Sequence, residues 1–154
     1  NVPVEYGYVT IAQNWKAGDK ITINFPLEST LMTADPRVEE TRSQVVVMRG
    51  PVLYCVESPD LPSGYDVPSV SIPSNSTFKP VLGMSGINNE ISNQTFSLQG
   101  TGIFKQDALK APLYRPFNQE PGKSFDLTLI PYYAWANRSK KTTMSVWLPI
   151  VVKE

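Results

Sequence analysis

The residue types most often recruited for chemistry are nearly absent from this chain. It has no histidine and a single cysteine, Cys55. Imidazole bases, Ser–His and Cys–His pairs and His metal ligands are therefore excluded within it, as are intramolecular disulfides and multi-thiolate zinc sites. Cys55 lies among apolar strand neighbours with no base or cation to activate it, so it reads as a buried, inert thiol. Carboxylates remain. Glycoside hydrolysis needs two acids about 5–9.5 Å apart across a cleft. Glu39 and Glu40 are adjacent and would point to opposite faces of a strand. Asp60 and Asp66 share a proline-rich loop and can approach one another, as a hydrolytic pair or as oxygen ligands for calcium. Solvated loop acids are the simpler reading.

Aromatic rings are the better candidates. Trp15, Tyr132, Tyr133 and Trp135 are the candidate ligand-binding residues, and with Trp147 they supply flat faces suited to the C–H face of a sugar. On a strand, Tyr132, Tyr133 and Trp135 cannot all share one side, so at least one is expected in the core. Packing in the core or at a domain interface is the competing reading for all of them. Trp15 precedes the Gly18-Asp19 turn and is expected to be the most exposed. Arg49 and Arg138 each stand beside a turn. Either can meet a ligand carboxylate or hydroxyl, but pairing with a loop carbonyl or acid is the expectation. Asn75, Asn93 and Asn137 begin Asn-x-Ser/Thr triplets, a pattern that arises too readily by chance to carry weight. No metal or cofactor site is expected.

The elements that would position these residues are short. The chain has 154 residues, the size of one domain. Fourteen basic residues balance fourteen acidic ones, and no basic stripe breaks that balance, so a nucleic-acid partner is not expected. No apolar run approaches the ~20 residues that span a bilayer, so no membrane association is expected. The chain opens on Asn1 without Met or a signal-like segment, and reads as a processed product or a piece of something longer. Nine glycines and fourteen prolines are spread along it as punctuation. Tyr8–Ala12 and Ile21–Phe25 read as strands joined into a hairpin by Lys16-Ala17-Gly18-Asp19. Gln44–Met48 is a β-branched run suited to burial on both faces. After Arg49-Gly50-Pro51, expected as a bulge or bend, Val52–Val56 resumes the pattern. Gln94–Leu98 and Gly102–Lys105 are strand candidates on either side of Gly100. Ser124–Ile130 and Thr143–Leu148 alternate and would pair as a hairpin through the polar turn at 137–141. Residues 58–76, with at most a short strand at Val70–Ile72, and 107–122 read as long loops. About nine to eleven short strands without a long helix define an all-β fold, an antiparallel β-sandwich or jelly roll.

Several strings in this order resemble the C-terminal β-sandwich region of glycoside hydrolase family 127, the β-L-arabinofuranosidase-like enzymes. They are Gly7-Tyr8-Val9-Thr10-Ile11, Trp15-Lys16-Ala17-Gly18-Asp19, and the run from Arg49 through Gly50-Pro51-Val52-Leu53-Tyr54-Cys55-Val56 to Glu57. Pro131-Tyr132-Tyr133-Ala134-Trp135-Ala136-Asn137-Arg138 and Met144-Ser145-Val146-Trp147-Leu148 complete the set. The resemblance covers 7–57 and 125–149, and is faint over 58–124. It implies a parent enzyme with an (α/α)6 catalytic barrel followed by two β-sandwiches. In that family a zinc-held cysteine nucleophile, its cysteine and glutamate ligands and a glutamate acid/base all lie in the barrel. None of those residues maps onto this chain, and Cys55 matches a sandwich strand.

Residues 1–34 are accordingly expected to end a preceding β-sandwich or form its linking strands, and residues 35–154 to form the C-terminal β-sandwich. The expected role is that of a non-catalytic accessory region, packing on the parent's catalytic barrel or supporting a homodimer. A carbohydrate-binding module for plant-type polysaccharide, using the aromatics above, is the alternative. An autonomous hydrolase with an Asp/Glu pair comes last. A periplasmic or secreted setting is expected if the source degrades polysaccharide.

Overall fold

The computed structural model describes residues 4–86, 92–105, 112, 114, 116, 122–138 and 141–152. Among them β1 (Val4–Glu5) and β2 (Tyr8–Val9) form a small separate hairpin. The remaining strands share one sheet: β3 (Ser29–Met32), β4 (Gln44–Arg49), β5 (Val52–Glu57), β6 (Val70–Pro73), β7 (Lys79–Leu82), β8 (Phe96–Phe104), β9 (Lys123–Pro131), β10 (Met144–Ser145) and β11 (Leu148–Val151). Neighbours run β10-β5-β9-β8-β6-β11-β4-β3, with β7 on β8. A further pairing of β4 with β5 joins β5, β9, β8, β6, β11 and β4 into a closed six-stranded barrel. The all-β expectation holds. The two faces of the expected sandwich are continuous here, and one pairing, β6 with β11, is parallel.

Side-chain alternation builds the interior. Val45 and Val47 of β4, Tyr54 and Val56 of β5, Val70 and Ile72 of β6, Leu98 of β8, Leu127 and Leu129 of β9 and Leu148 of β11 form one buried cluster. Full burial of each aliphatic side chain contributes about 1.5–3 kcal/mol. A second cluster gathers Cys55, Ile130, Met84 and Ala134, where the alternate residues of β5 and β9 are covered by loops.

Four local expectations are corrected. Gly50-Pro51 is no bulge: Arg49 pairs with Val52, so these are the two central residues of a tight hairpin turn. Gly50 takes φ +55°, the positive value that such a turn requires at its first central position. Gly100 breaks nothing, because β8 runs through it. The Phe78 ring lies against it, so a glycine is needed for contact and not for a turn. The expected hairpin of 124–130 with 143–148 does not form, since β5 lies between β9 and β10. Nor do Tyr8–Ala12 and Ile21–Phe25 pair. The turn between them does close, with the Asp19 amide donating to the Lys16 carbonyl at 3.1 Å and the Lys16 amide to Asp19 Oδ2 at 2.8 Å. Residues 4–28 are exposed throughout, and Ile21, Ile23 and Phe25 are 55, 69 and 73 % exposed, so nothing rewards the flanking strands.

In the 58–76 loop, 3-10 turns at Ser58–Asp60 and Val67–Ser69 flank a bend, and the strand candidate at its end is β6, a fully buried barrel strand. The 107–122 loop lies largely outside the described residues. Among the described residues no helix is long and apolar enough to cross a membrane.

A Cβ at Gly100 would stand 2.7 Å from the Phe78 ring and 2.8 Å from the Thr77 carbonyl oxygen. Gly100→Ala is expected to lower stability by about 1–3 kcal/mol through overpacking, read as a lower urea midpoint at unchanged slope.

Candidate functional site

Most of the polar chemistry converges at the end of β5. Glu57 is the last residue of that strand and is fully buried. The chain leaves β9 at Pro131, makes a 3-10 turn at Tyr132–Ala134, and brings Arg138 back over Glu57. Arg138 Nε donates to Glu57 Oε2 at 3.0 Å, and Nη2 donates to the same oxygen. Nη1 donates to Asp60 Oδ1 at 2.6 Å and to the Ser85 carbonyl at 3.2 Å, and Nη2 also to Asp60 Oδ2. All five guanidinium N–H groups are thus used. The Ala136 amide donates to Glu57 Oε1 at 2.9 Å. Ala136 has φ +62°, an unfavourable value for alanine that aims this amide at the carboxylate.

Burial pushes the Glu57 carboxyl up. The hydrogen bonds from Arg138, the Ala136 amide and Thr142, with the charge of Arg138, outweigh that and hold it below its ordinary value. Burial pushes the Arg138 guanidinium down, and its bonds to Asp60 and Glu57 more than reverse this, so it stays protonated. One cation and two anions are nearly sealed from solvent, with side-chain exposures of 3, 0 and 6 % for Arg138, Glu57 and Asp60. The expected structural pairing of Arg138 is what the geometry contains. Asp60 is committed here, while Asp66 accepts from the Ser69 amide at 3.1 Å and caps a 3-10 turn. The Cys55 thiol is pushed up to about 12, first by burial and then by the nearby Glu57 charge, so thiolate is scarce at neutral pH. Among the described residues no three acids or thiols gather as a metal site.

The four candidate aromatics all reach the surface. Trp15 sits in the exposed leading segment. Tyr132, Tyr133 and Trp135 follow β9 on a 3-10 turn, where strand alternation no longer applies. The expectation that one of them enters the core is corrected: all three are exposed, and Ala134 takes the inward position. Tyr132 lines an open groove of about 820 Å³ with Trp147, Gln44, Leu53, Pro68 and Ser145. Trp15, Tyr133 and Trp135 lie outside that lining, so the four do not form one platform.

Arg49 behaves differently from Arg138. It lies on the inward register of β4, after Val45 and Val47, at the barrel mouth beside the Gly50-Pro51 turn. Its guanidinium carbon is 4.9 Å from the centroid of Phe96. Tyr54 donates its hydroxyl to the Phe96 carbonyl at 3.0 Å. Glu57 is the residue that sequence reasoning passed over. Its position at the end of a buried apolar strand, two after Cys55 on the same face, was the available signal.

Fold and site together define an all-β module built on a saturated internal ion cluster, with exposed aromatic rings around it. The chain belongs to the glycoside hydrolase family 127 C-terminal domain family, whose profile matches residues 29–149. It is 30% identical over 145 residues to a non-reducing end β-L-arabinofuranosidase from Bifidobacterium longum subsp. longum, covering 88% of this chain and 20% of that protein. Its fold matches a solved GH127 β-arabinofuranosidase with TM-score 0.75 and 32% identity, over 98% of this chain and 22% of that one. It also matches a GH127 β-L-arabinofuranosidase from Geobacillus stearothermophilus T6 with TM-score 0.64 and 26% identity, over 82% of this chain and 19% of that one. The chain spans about a fifth of the length of these relatives. Residues 29–149 correspond to the C-terminal domain of those larger proteins.

Arg138→Ala would leave Glu57 and Asp60 buried and uncompensated, at an expected cost of about 3–5 kcal/mol. Arg138→Lys should recover only part of it, since one ammonium cannot fork to two carboxylates. A carboxyl held below its ordinary value of 4.5 contributes in full above that value and loses its contribution as pH falls through the lowered one. The melting temperature should therefore drop across the acid window below about pH 4.5. Glu57→Gln, less stable at neutral pH, should show a shallower drop across that window.

Proposed function

We propose that this chain is a non-catalytic accessory region of a β-L-arabinofuranosidase-like glycoside hydrolase, a rigid β scaffold that docks on the catalytic domain of its parent. The observation that carries this reading is the leading segment. Val4, Tyr6, Tyr8, Ile11, Ile21, Ile23 and Phe25 are all exposed within two dozen residues, with no core beneath them. Such a strip marks a contact surface rather than a monomer's ordinary exterior. The saturation of Arg138, Glu57 and Asp60 supports the same reading, since neither acid of that cluster is free to act. Residues 4–28, lying outside the matched 29–149, are in this reading the edge of the neighbouring β-sandwich.

Ile23→Asp with Phe25→Asp should leave the melting temperature of the isolated chain nearly unchanged. In the full-length enzyme the pair should lower it by several degrees and reduce β-L-arabinofuranoside hydrolysis. Equal melting in the full-length enzyme with and without the pair would overturn docking through this strip. Concentration-dependent dimerisation of the isolated chain, abolished by the pair, would reassign the strip to oligomerisation.

The groove beside Tyr132 favours a second reading, binding of neutral polysaccharide by ring stacking. Affinity electrophoresis on arabinan should then show retardation that Tyr132→Ala loses and Trp15→Ala keeps. No retardation would remove this reading.

A further inference from the structure

Two arginines flank turns in this fold, and they are provided for in opposite ways. Arg138 has an acceptor for every N–H. Arg49 has an aromatic ring and the Tyr54 hydroxyl beside it, and no carboxylate pairs with it among the described residues. Its Nε is enclosed and finds no hydrogen-bond partner. The one other enclosed side-chain atom in that condition among the described residues is the Ser29 hydroxyl. These two orphans are not scattered. Ser29 is the register partner of Arg49 across β3 and β4, so both side chains stand on the same face, with Cβ atoms about 4.5–5.5 Å apart.

That face is the inside of the barrel. Leu31 and Val47, the next register pair inward, pack in the core, so Ser29 and Arg49 form the polar end of an apolar column. They meet at the mouth where β4 turns into β5 and where β8 begins. Barrel mouths are favoured ligand positions. A buried donor without an acceptor costs about 1–3 kcal/mol, and here two such donors stand side by side, one of them on a cation that no carboxylate meets among the described residues. Their common complement is an oxyanion with two acceptor oxygens, which a guanidinium receives as a fork. Phe96, 38 % exposed, places a ring face beside the cation. A ring face beside a charged donor suits a sugar that carries a carboxylate better than a bare anion.

We propose that the barrel mouth formed by Arg49, Ser29 and Phe96 binds the carboxylate of an acidic sugar. The site goes beyond the docking reading and does not need it, because it belongs to the barrel itself and can be loaded in the isolated chain.

The test follows the Arg49 Nε–H resonance of the 154-residue chain by NMR during titration with sodium galacturonate, sodium acetate or galactose. Galacturonate is expected to shift it saturably with a roughly millimolar Kd, acetate more weakly, and galactose not at all. Arg49→Lys keeps the charge and loses the fork, so galacturonate affinity, read from backbone amide shifts, should fall about tenfold or more. Ser29→Ala removes one donor with little threat to folding and should weaken binding several-fold. An equal response to galactose and galacturonate would overturn the carboxylate assignment. An equal response to acetate would overturn the sugar, and silence to all three would overturn the site. Should Arg49→Lys fail to fold, unchanged affinity in Ser29→Ala would overturn the proposal by itself.

Discussion

Closure of the barrel by its last strand is the constraint on which the rest depends. β11 pairs antiparallel with β4 and parallel with β6, so a segment near the chain's end bridges strands from its first half. Without that bridge β6 and the first two residues of β4 would present unpaired edges, and Leu148 would have no interior to enter. The pairings that complete the ring here are short, two register pairs on each side of β11, with Pro149 and Pro73 among them. Proline removes a ladder donor, which explains why these seams cannot lengthen. Across the barrel, β8 and β9 share seven register pairs. One side of the ring is thus a long continuous hairpin, and the other is a narrow splice between distant parts of the chain.

The ion cluster serves the same closure from outside. Arg138 lies between β9 and β10, on a connection that must pass over β5. By binding Glu57 at the end of β5, Asp60 just beyond it and the Ser85 carbonyl, it ties three separated segments together. The amide of Ser58 donating to the Thr143 carbonyl at 2.9 Å continues that attachment beside β10. Buried ion pairs add little net stability, because desolvation offsets their attraction. Their directional bonds do specify where a loop lies, and this loop carries Tyr132, Tyr133 and Trp135. The cluster's contribution is placement: it holds three aromatic rings on the outside of a fold that would gain by burying them.

Period-two alternation made the barrel strands legible from sequence, and so were the all-β class and the family, because Val45, Val47, Leu127 and Leu129 carry their burial in their spacing. The pairing partners were not legible. Alternation says that a strand has an inside, not which strand lies beside it, so Ser124–Ile130 was matched to Thr143–Leu148 although β5 separates them. Gly100 misled because a glycine in a strand signals either a bend or a close contact, and only the position of the Phe78 ring decides. At the site, Arg138 was read correctly as structural, but Glu57 was missed. A carboxylate at a strand's end looks solvated unless the returning loop that covers it is known.

Two of the places where apolar residues are exposed differ in the polar atoms beside them. Along residues 4–27 the exposed side chains mix aliphatic Val4, Ile11, Ile21 and Ile23 with the rings of Tyr6, Tyr8, Trp15 and Phe25, and no enclosed donor lacking an acceptor lies among them. A two-stranded hairpin such as β1–β2 is marginal in water without a third element against it, and this one has none beneath it. Surface of that kind suits contact with another protein surface. At the barrel mouth the exposed group is the Phe96 ring, and beside it stand the Arg49 Nε and the Ser29 hydroxyl, each without a hydrogen-bond partner. A hydrophobic protein face pressed there would seal the two donors more deeply and raise their cost. A ligand with its own acceptor oxygens would remove it. The leading segment is thus suited to a dry contact, and the barrel mouth to a small ligand that brings its own acceptors.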